Sequence, residues 1–236
     1  MGVTQEGGPF RAAVFASGGG SNFQALIDHV SSGDRTWSID LLVMNREHGA
    51  LRRARSAGVP AHIIPTKGRE VSEIAQETLR VLDEHAIDMV LLAGYLRRVP
   101  SEVTIRFSGR ILNIHPALLP DFGGPGMYGM NVHRAVAESE STMIGATIHF
   151  VGDLYDEGAI LGQWRMSRRP QDSAEEIAAK VLQIEHRLYP AAVDHLCAAL
   201  LADTRPERMV DLDVKDSFEE HRRKSSTSIK LTEEIQ

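Results

Sequence analysis

Five short, almost wholly apolar runs, each followed by a turn and then a helix-spaced segment, constrain this chain more than any other feature. They are RAAVFAS (Arg11–Ser17), WSIDLLVMN (Trp37–Asn45), VPAHIIP (Val59–Pro65), DMVLLAG (Asp88–Gly94) and RILNIHP (Arg110–Pro116). Between them lie FQALIDHV (Phe23–Val30), a basic stretch at Leu51–Ala57, Glu70–His85 and Ser101–Phe107. Strands separated by helices pair in parallel through crossovers, and strands without polar alternation are buried on both faces. The expected fold is therefore α/β: a Rossmann-like, doubly wound, mostly parallel sheet with helices on both faces. Two later runs, MIGATIHFV and AILGQWRM, are joined by the turn-prone GDLYDEG and extend the sheet as a late antiparallel addition.

After these runs, Ser173 and Glu176 have the spacing of a capping box, followed by Ile177, Val181, Ile184 and Leu188 on one helical face. Pro190 is expected to interrupt or kink that helix, with a second helical stretch continuing to about Ala202. The organisation expected is a flexible N-terminus over 1–10, one catalytic domain over 11–203 and a polar extension over 204–236. The stretch Lys215–Gln236 has too few apolar residues for a core of its own and reads as a loose tail.

Charge and composition remove several classes of function. Lys and Arg number 26 against 32 Asp and Glu, giving a net charge of −6, which disfavours nucleic acid or an anionic membrane as the main partner. No run approaches the ~20 apolar residues of a membrane span, and Met1–Pro9 lacks the regions of a secretion signal, so a cytoplasmic protein is expected. The one cysteine, Cys197, sits in an apolar run and reads as a core thiol. His133, His149 and His186 have neither HxxxH nor HExxH spacing, so no metal is expected; they read as packed or hydrogen-bonded, one of them lining the site.

The chemistry-bearing groups fall at strand ends. Ser17–Asn22 (SGGGSN) joins the first strand to the first helix, where free N–H groups and the helix dipole favour an anion. Phe23 stands where GxGxxG needs its last glycine and no Gly-Lys-Ser/Thr follows, so a monophosphate suits the loop better than a dinucleotide. A tight turn needing glycine only for its backbone is the other reading. Asn113 and His115, two apart on a strand, share a face roughly 6–7 Å apart and either pack or serve acyl transfer, one amide for an oxyanion and one imidazole for a proton. In GDLYDEG, Asp153, Asp156 and Glu157 are solvated, unless one of them stands beside His115 and raises its pKa. Gly94–Val99 is either an ordinary loop or a wall for a flat heterocycle, and the Gly/Pro-rich stretch 116–129 is long enough to read as functional.

These elements, in this order, resemble the phosphoribosylglycinamide formyltransferases of purine synthesis from about Arg11 to Leu201. The resemblance rests on SGGGSN, LAGYLRR (Leu92–Arg98), LNIHPALLP (Leu112–Pro120), PGMYGMNVHRAV (Pro125–Val136), GATIHFVGDLYDEGAIL (Gly145–Leu161) and IEHRLYP (Ile184–Pro190). It implies a catalytic set of Asn113, His115 and Asp156. Asn113 would donate to the oxyanion, His115 would assist as a cation or proton donor, and Asp156 would pair with His115 and order a proton-carrying water. It further implies that Gly19, Gly20, Ser21 and Asn22 hold the phosphate and Glu185 the ribose of 5'-phosphoribosylglycinamide. The co-substrate 10-formyltetrahydrofolate would lie against Leu96, Arg97, Arg98 and Val99, with Arg69 for its acidic tail.

Glu185 falls about 80° round the helix from Ile177, at the border of the buried face, or else is an exposed surface acid. Leu182 and Ile184 stand where some family members carry glutamines, so a side-chain phosphate contact is missing. Two enzymes of the wider superfamily fit less well: formyltetrahydrofolate deformylase for want of a preceding domain, methionyl-tRNA formyltransferase for want of a basic C-terminal one. Small-molecule partners and a monomer or homodimer, without nucleic acid or membrane, are expected.

Overall fold

The computed structural model describes residues 8–33, 35–152, 156–209 and 211–213. The five apolar runs become β1 (Phe10–Ala16), β2 (Trp37–Met44), β3 (Ala61–Ile63), β4 (Met89–Leu92) and β5 (Ile111–His115). Helices α1 (Ser21–Val30), α2 (Gly49–Ala57), α3 (Val71–Glu84) and α4 (Ser101–Arg106) alternate with them, and α5 (Met130–Glu138) follows β5. Then come β6 (Met143–Phe150), β7 (Ile160–Ser167), α6 (Ala174–Leu201) and β8 (Leu212–Asp213). The sheet order is β3-β2-β1-β4-β5-β6-β7-β8. Neighbours from β3 to β5 are parallel, β6 runs antiparallel to both β5 and β7, and β8 pairs parallel with β7.

Strand alternation distributes the apolar side chains into two cores. Ala12, Val14 and Ala16 of β1 pack with Phe23 and Leu26 of α1, Val132 and Val136 of α5, and the buried stripe of α6. Ala13 and Phe15 pack on the other face with Ile74, Val81 and Leu82 of α3 and Val103 of α4. Both faces are covered, as strands without polar alternation require.

Three expectations need correction. Phe10 is not part of a flexible terminus: it opens β1 and is 3% exposed, while residues 1–7 lie outside the described residues. β8, absent from the sequence reading, adds Leu212 and Asp213 beside Trp164 and Arg165, and Met209 N–H donates to Leu161 O at 2.6 Å. The expected tail 215–236 lies outside the described residues. Finally, α6 runs unbroken through Pro190 for 28 residues. A proline inside a helix costs about 3 kcal/mol, and here both flanking turns are buried through Leu188, Tyr189, Val193 and Leu196. The expected capping box is present, with Ser173 Oγ accepting from Glu176 N–H and Glu176 Oε2 accepting from Ser173 N–H.

The long helix also fixes the strand ends that carry chemistry. The buried Tyr189 hydroxyl donates to the carbonyls of Leu92 (3.2 Å) and Leu112 (3.1 Å), in β4 and β5. The loop after β5 is held in turn by Thr147 of β6. Its hydroxyl donates to Ala117 O and accepts from Leu119 N–H, while Gln163 Nε2 of β7 donates to Leu119 O.

Candidate active site

A cavity of about 600 Å³ opens at the carboxyl ends of β4 and β5, where an open α/β sheet places its ligands. Asn22, Leu96, Arg97, Arg98, Val99, Asn113, His115, Asp156 and Glu185 all line it. Of the site residues that the resemblance implies, Gly19, Gly20, Ser21 and Arg69 do not.

At its centre, β5 and β6 set Asn113 opposite His149 in register. Asn113 Nδ2 lies 3.0 Å from His149 Nε2, and His149 Nδ1 lies 2.9 Å from Phe150 O. A carbonyl only accepts, so Nδ1 carries a proton, and in the tautomer with Nδ1 alone protonated Nε2 accepts from the Asn113 amide. The polarity of that amide is thereby fixed, and its second N–H is left for a ligand.

Asp156 stands between two histidines. Its Oδ1 is 3.4 Å from His149 Nε2 and its Oδ2 is 3.6 Å from His115 Nδ1, while Gly124 N–H donates to Oδ2 at 3.0 Å. Burial alone would raise the Asp156 carboxyl pKa, but the Gly124 N–H that it accepts and its place between the two imidazoles hold it below the ordinary value. Its backbone is left-handed, φ +56°, a conformation that Asp adopts more readily than most residues. Of the other acids in GDLYDEG, Glu157 is exposed and Asp153 lies outside the described residues.

His115 donates from Nε2 to Phe122 O at 2.8 Å, which leaves the Nδ1 lone pair towards Asp156. The sequence reading has a carboxylate raising the His115 pKa. Asp156 does act in that direction, and so does the Phe122 carbonyl, but burial outweighs both and the pKa is lowered. His115 is therefore neutral near pH 7, with a proton position facing the carboxylate.

At one end of the cavity, Gly20 precedes α1 with φ +73° and no side chain caps the helix. The first-turn N–H groups are left for water or an anion. Gly20 also needs its missing side chain for packing: a Cβ there would stand 2.8 Å from Ala50 Cβ. Arg53 of α2 ties down the loop, donating to Gly19 O at 2.8 Å and to Gln24 Oε1 at 3.0 Å. Asn22 Nδ2 donates to Glu185 Oε2 at 3.2 Å. Glu185 is 7% exposed, which excludes the surface-acid reading, and burial pushes its pKa up to about 7 against the opposing Asn22 bond.

At the other end, Leu96 is 48% exposed at the mouth, Arg97 and Arg98 are exposed, and Val99 is buried. Ser17 Oγ accepts from Leu96 N–H and donates to Asn45 Oδ1, tying this loop to β1 and β2. Arg69 is elsewhere, bound to Glu77 at 2.6 Å and to Pro65 O. Of the three dispersed histidines, two line the cavity beside His115 where the sequence reading has one: His133 and His149. His149 stands in the GATIHFV segment, but its role depends on the β5–β6 register, which the sequence does not display. Among the described residues no group of His, Cys, Asp and Glu could hold a metal ion, and no helix is long and apolar enough to cross a membrane.

A family model described as Formyl transferase matches residues 10–193. A chloroplastic phosphoribosylglycinamide formyltransferase of Arabidopsis thaliana is 46% identical over 190 residues, 79% of this chain and 65% of the relative; that of Vigna unguiculata is 43% identical over 79% and 61%. The chain thus spans a little under two thirds of the length of these two relatives. Among solved structures, the phosphoribosylglycinamide formyltransferase of Brucella melitensis is 35% identical with a TM-score of 0.74, over 80% of this chain and 96% of that one. A formyltetrahydrofolate deformylase of Pseudomonas syringae, 20% identical with a TM-score of 0.74 over 81% and 62% of the two chains, shares the fold alone. With the Asn-His-Asp cluster at the same crevice that the motif order implies, this chain belongs to the formyl transferase family, among the phosphoribosylglycinamide formyltransferases.

Proposed function

We propose that the protein transfers the formyl group of 10-formyltetrahydrofolate to the amine of 5'-phosphoribosylglycinamide, a step of purine biosynthesis. The observation that carries this reading is the convergence of Asn113, His115 and Asp156 between an uncapped helix N-terminus and an apolar mouth in one cavity. The acceptor's phosphate lies at Gly19–Asn22 and its ribose hydroxyls at Glu185. The donor's flat ring lies against Leu96–Val99, where exposed apolar surface and the cations of Arg97 and Arg98 suit a heterocycle with an acidic tail. Arg69, engaged with Glu77, is left out of the donor site.

In the reaction the amine attacks the formyl carbon, forming one C–N bond, and the bond to the folate nitrogen breaks as that nitrogen gains a proton. The free N–H of Asn113 stabilises the oxygen that becomes negative. His115 Nδ1, beside the ionised Asp156, takes the proton that the attacking amine loses, and the water that Asp156 orders carries it on to the folate nitrogen as the old bond breaks. Direct donation from His115 Nε2 to the formyl oxygen requires release of the Phe122 carbonyl. The enzyme acts as a monomer or homodimer on small molecules, in the cytoplasm.

The deciding experiment follows tetrahydrofolate release from 10-formyltetrahydrofolate with and without 5'-phosphoribosylglycinamide. Release that depends on the ribonucleotide supports transfer. Equal release without it, as formate, assigns deformylase activity instead.

A further inference from the structure

Five buried side-chain atoms among the described residues have no hydrogen-bond partner, and two belong to residues lining the cavity: Asn22 Oδ1 and His133 Nδ1. Asn22 is already placed at the phosphate end. His133 is 7% exposed on α5, between the core residues Val132 and Val136. Burying a polar atom without a partner costs free energy that a ligand can return. The His133 ring lines the cavity, so a bound substrate is in a position to return it.

The two faces of the sheet show which substrate. Helices α1, α6 and α5 lie side by side, α6 in contact with both others, and bring Asn22, Glu185 and His133 to the cavity from one face. On β5, Leu112 and Ile114 belong to that face and Ile111 to the other, so Asn113 and His115 point to the second face, where Tyr95 packs and Val99 is buried. The sheet edge thus separates an acceptor side from a donor side. His133 is on the acceptor side and is close enough to His115 for the two imidazoles to repel when charged. The portion of the acceptor that connects a ribose at Glu185 to an amine at His115 therefore runs past His133.

We propose that His133 is a binding residue for the acceptor, its imidazole hydrogen-bonding the amide that links the ribose to the reacting amine. The inference rests on the function proposed above. An amide offers both a donor and an acceptor, so either neutral tautomer of His133 is matched. Burial, with a smaller contribution from His115, lowers the His133 pKa to about 4, which keeps the ring neutral at working pH.

The test compares wild type with His133→Phe and His133→Gln by titration calorimetry, using 5'-phosphoribosylglycinamide and ribose 5-phosphate, which lacks the amide arm. The Phe variant is expected to bind the full acceptor roughly tenfold more weakly, about one neutral hydrogen bond, and ribose 5-phosphate as wild type does. Gln should restore most of the loss. A second measurement needs no variant: the His133 Nδ1 resonance of the wild type should move on adding the full acceptor and stay in place with ribose 5-phosphate. Unchanged affinity in the Phe variant, equal weakening towards both ligands, or an unmoved resonance with the acceptor bound overturns the assignment of His133 alone. A wild type that binds no acceptor overturns the functional reading, and this inference with it.

Discussion

Asn113 and His149 face each other across β5 and β6, with Nδ2 and Nε2 3.0 Å apart, so the imidazole determines which way round the Asn113 amide is held. Replacing His149 with Phe keeps a flat ring and removes the acceptor. Turnover is expected to fall ~10–100-fold with the affinities for both substrates within about threefold, since the loss falls on the oxyanion. Steady-state kinetics with separate binding titrations check this; a loss confined to substrate affinity speaks against an orienting role.

Asp156→Asn removes the charge that faces His115 and His149, and His115→Ala removes the group that receives it. Both are expected to cut turnover by at least ~100-fold while ribonucleotide binding stays near wild type. Either variant turning over at the wild-type rate would sink the assignment.

Glu185 gives a pH signature independent of catalysis. The folded protein keeps its proton up to a pH of about 7, while the unfolded chain releases it near 4.5. The stabilising contribution is complete below 4.5 and is lost as the pH rises through 7. Glu185→Gln, which still accepts from Asn22, should melt with wild type near pH 4.5 and several degrees above it at pH 8, for an effect of up to about 3 kcal/mol. Melting curves across that range decide it, and an equal offset at both pH values contradicts the buried acid.

Gly20 is best used as a folding control. Its φ of +73° and the 2.8 Å approach to Ala50 Cβ mean that Gly20→Ala should destabilise the fold by about 1–3 kcal/mol in urea unfolding, beyond any effect on phosphate. At Gly19 a Cβ meets open space, so Gly19→Ala should stay close to wild-type stability. Equal loss at both positions would mean that the clash with Ala50 is relieved.

The sheet was legible because its information is local. An apolar run such as Leu41–Met44 can only be a doubly covered strand, and the Ser173–Glu176 box marks its own helix start. What escaped depends on partners distant in sequence. Pro190 reads as a breaker until the burial on both sides of it is known. β8 is two residues whose pairing exists only because β7 lies beside them. The proposed catalytic set of Asn113, His115 and Asp156 follows from motif order, whereas His149 follows from register and His133 from an unpartnered ring nitrogen. Arg69 failed as a donor contact because Glu77, one and a half turns into α3, is near enough to claim it.

The Tyr189 phenol gives the longest helix a further role. By sharing its hydrogen between Leu92 O and Leu112 O, it grips two adjacent strands just before one leads into the Gly94–Val99 wall of the cavity and the other into Asn113 and His115. Leu92 itself lines the cavity, so the spacing of the two strand ends that frame it is set from a single buried oxygen atom. A gauge of this kind keeps that spacing in the core of the sheet and leaves the loops beyond it without the task.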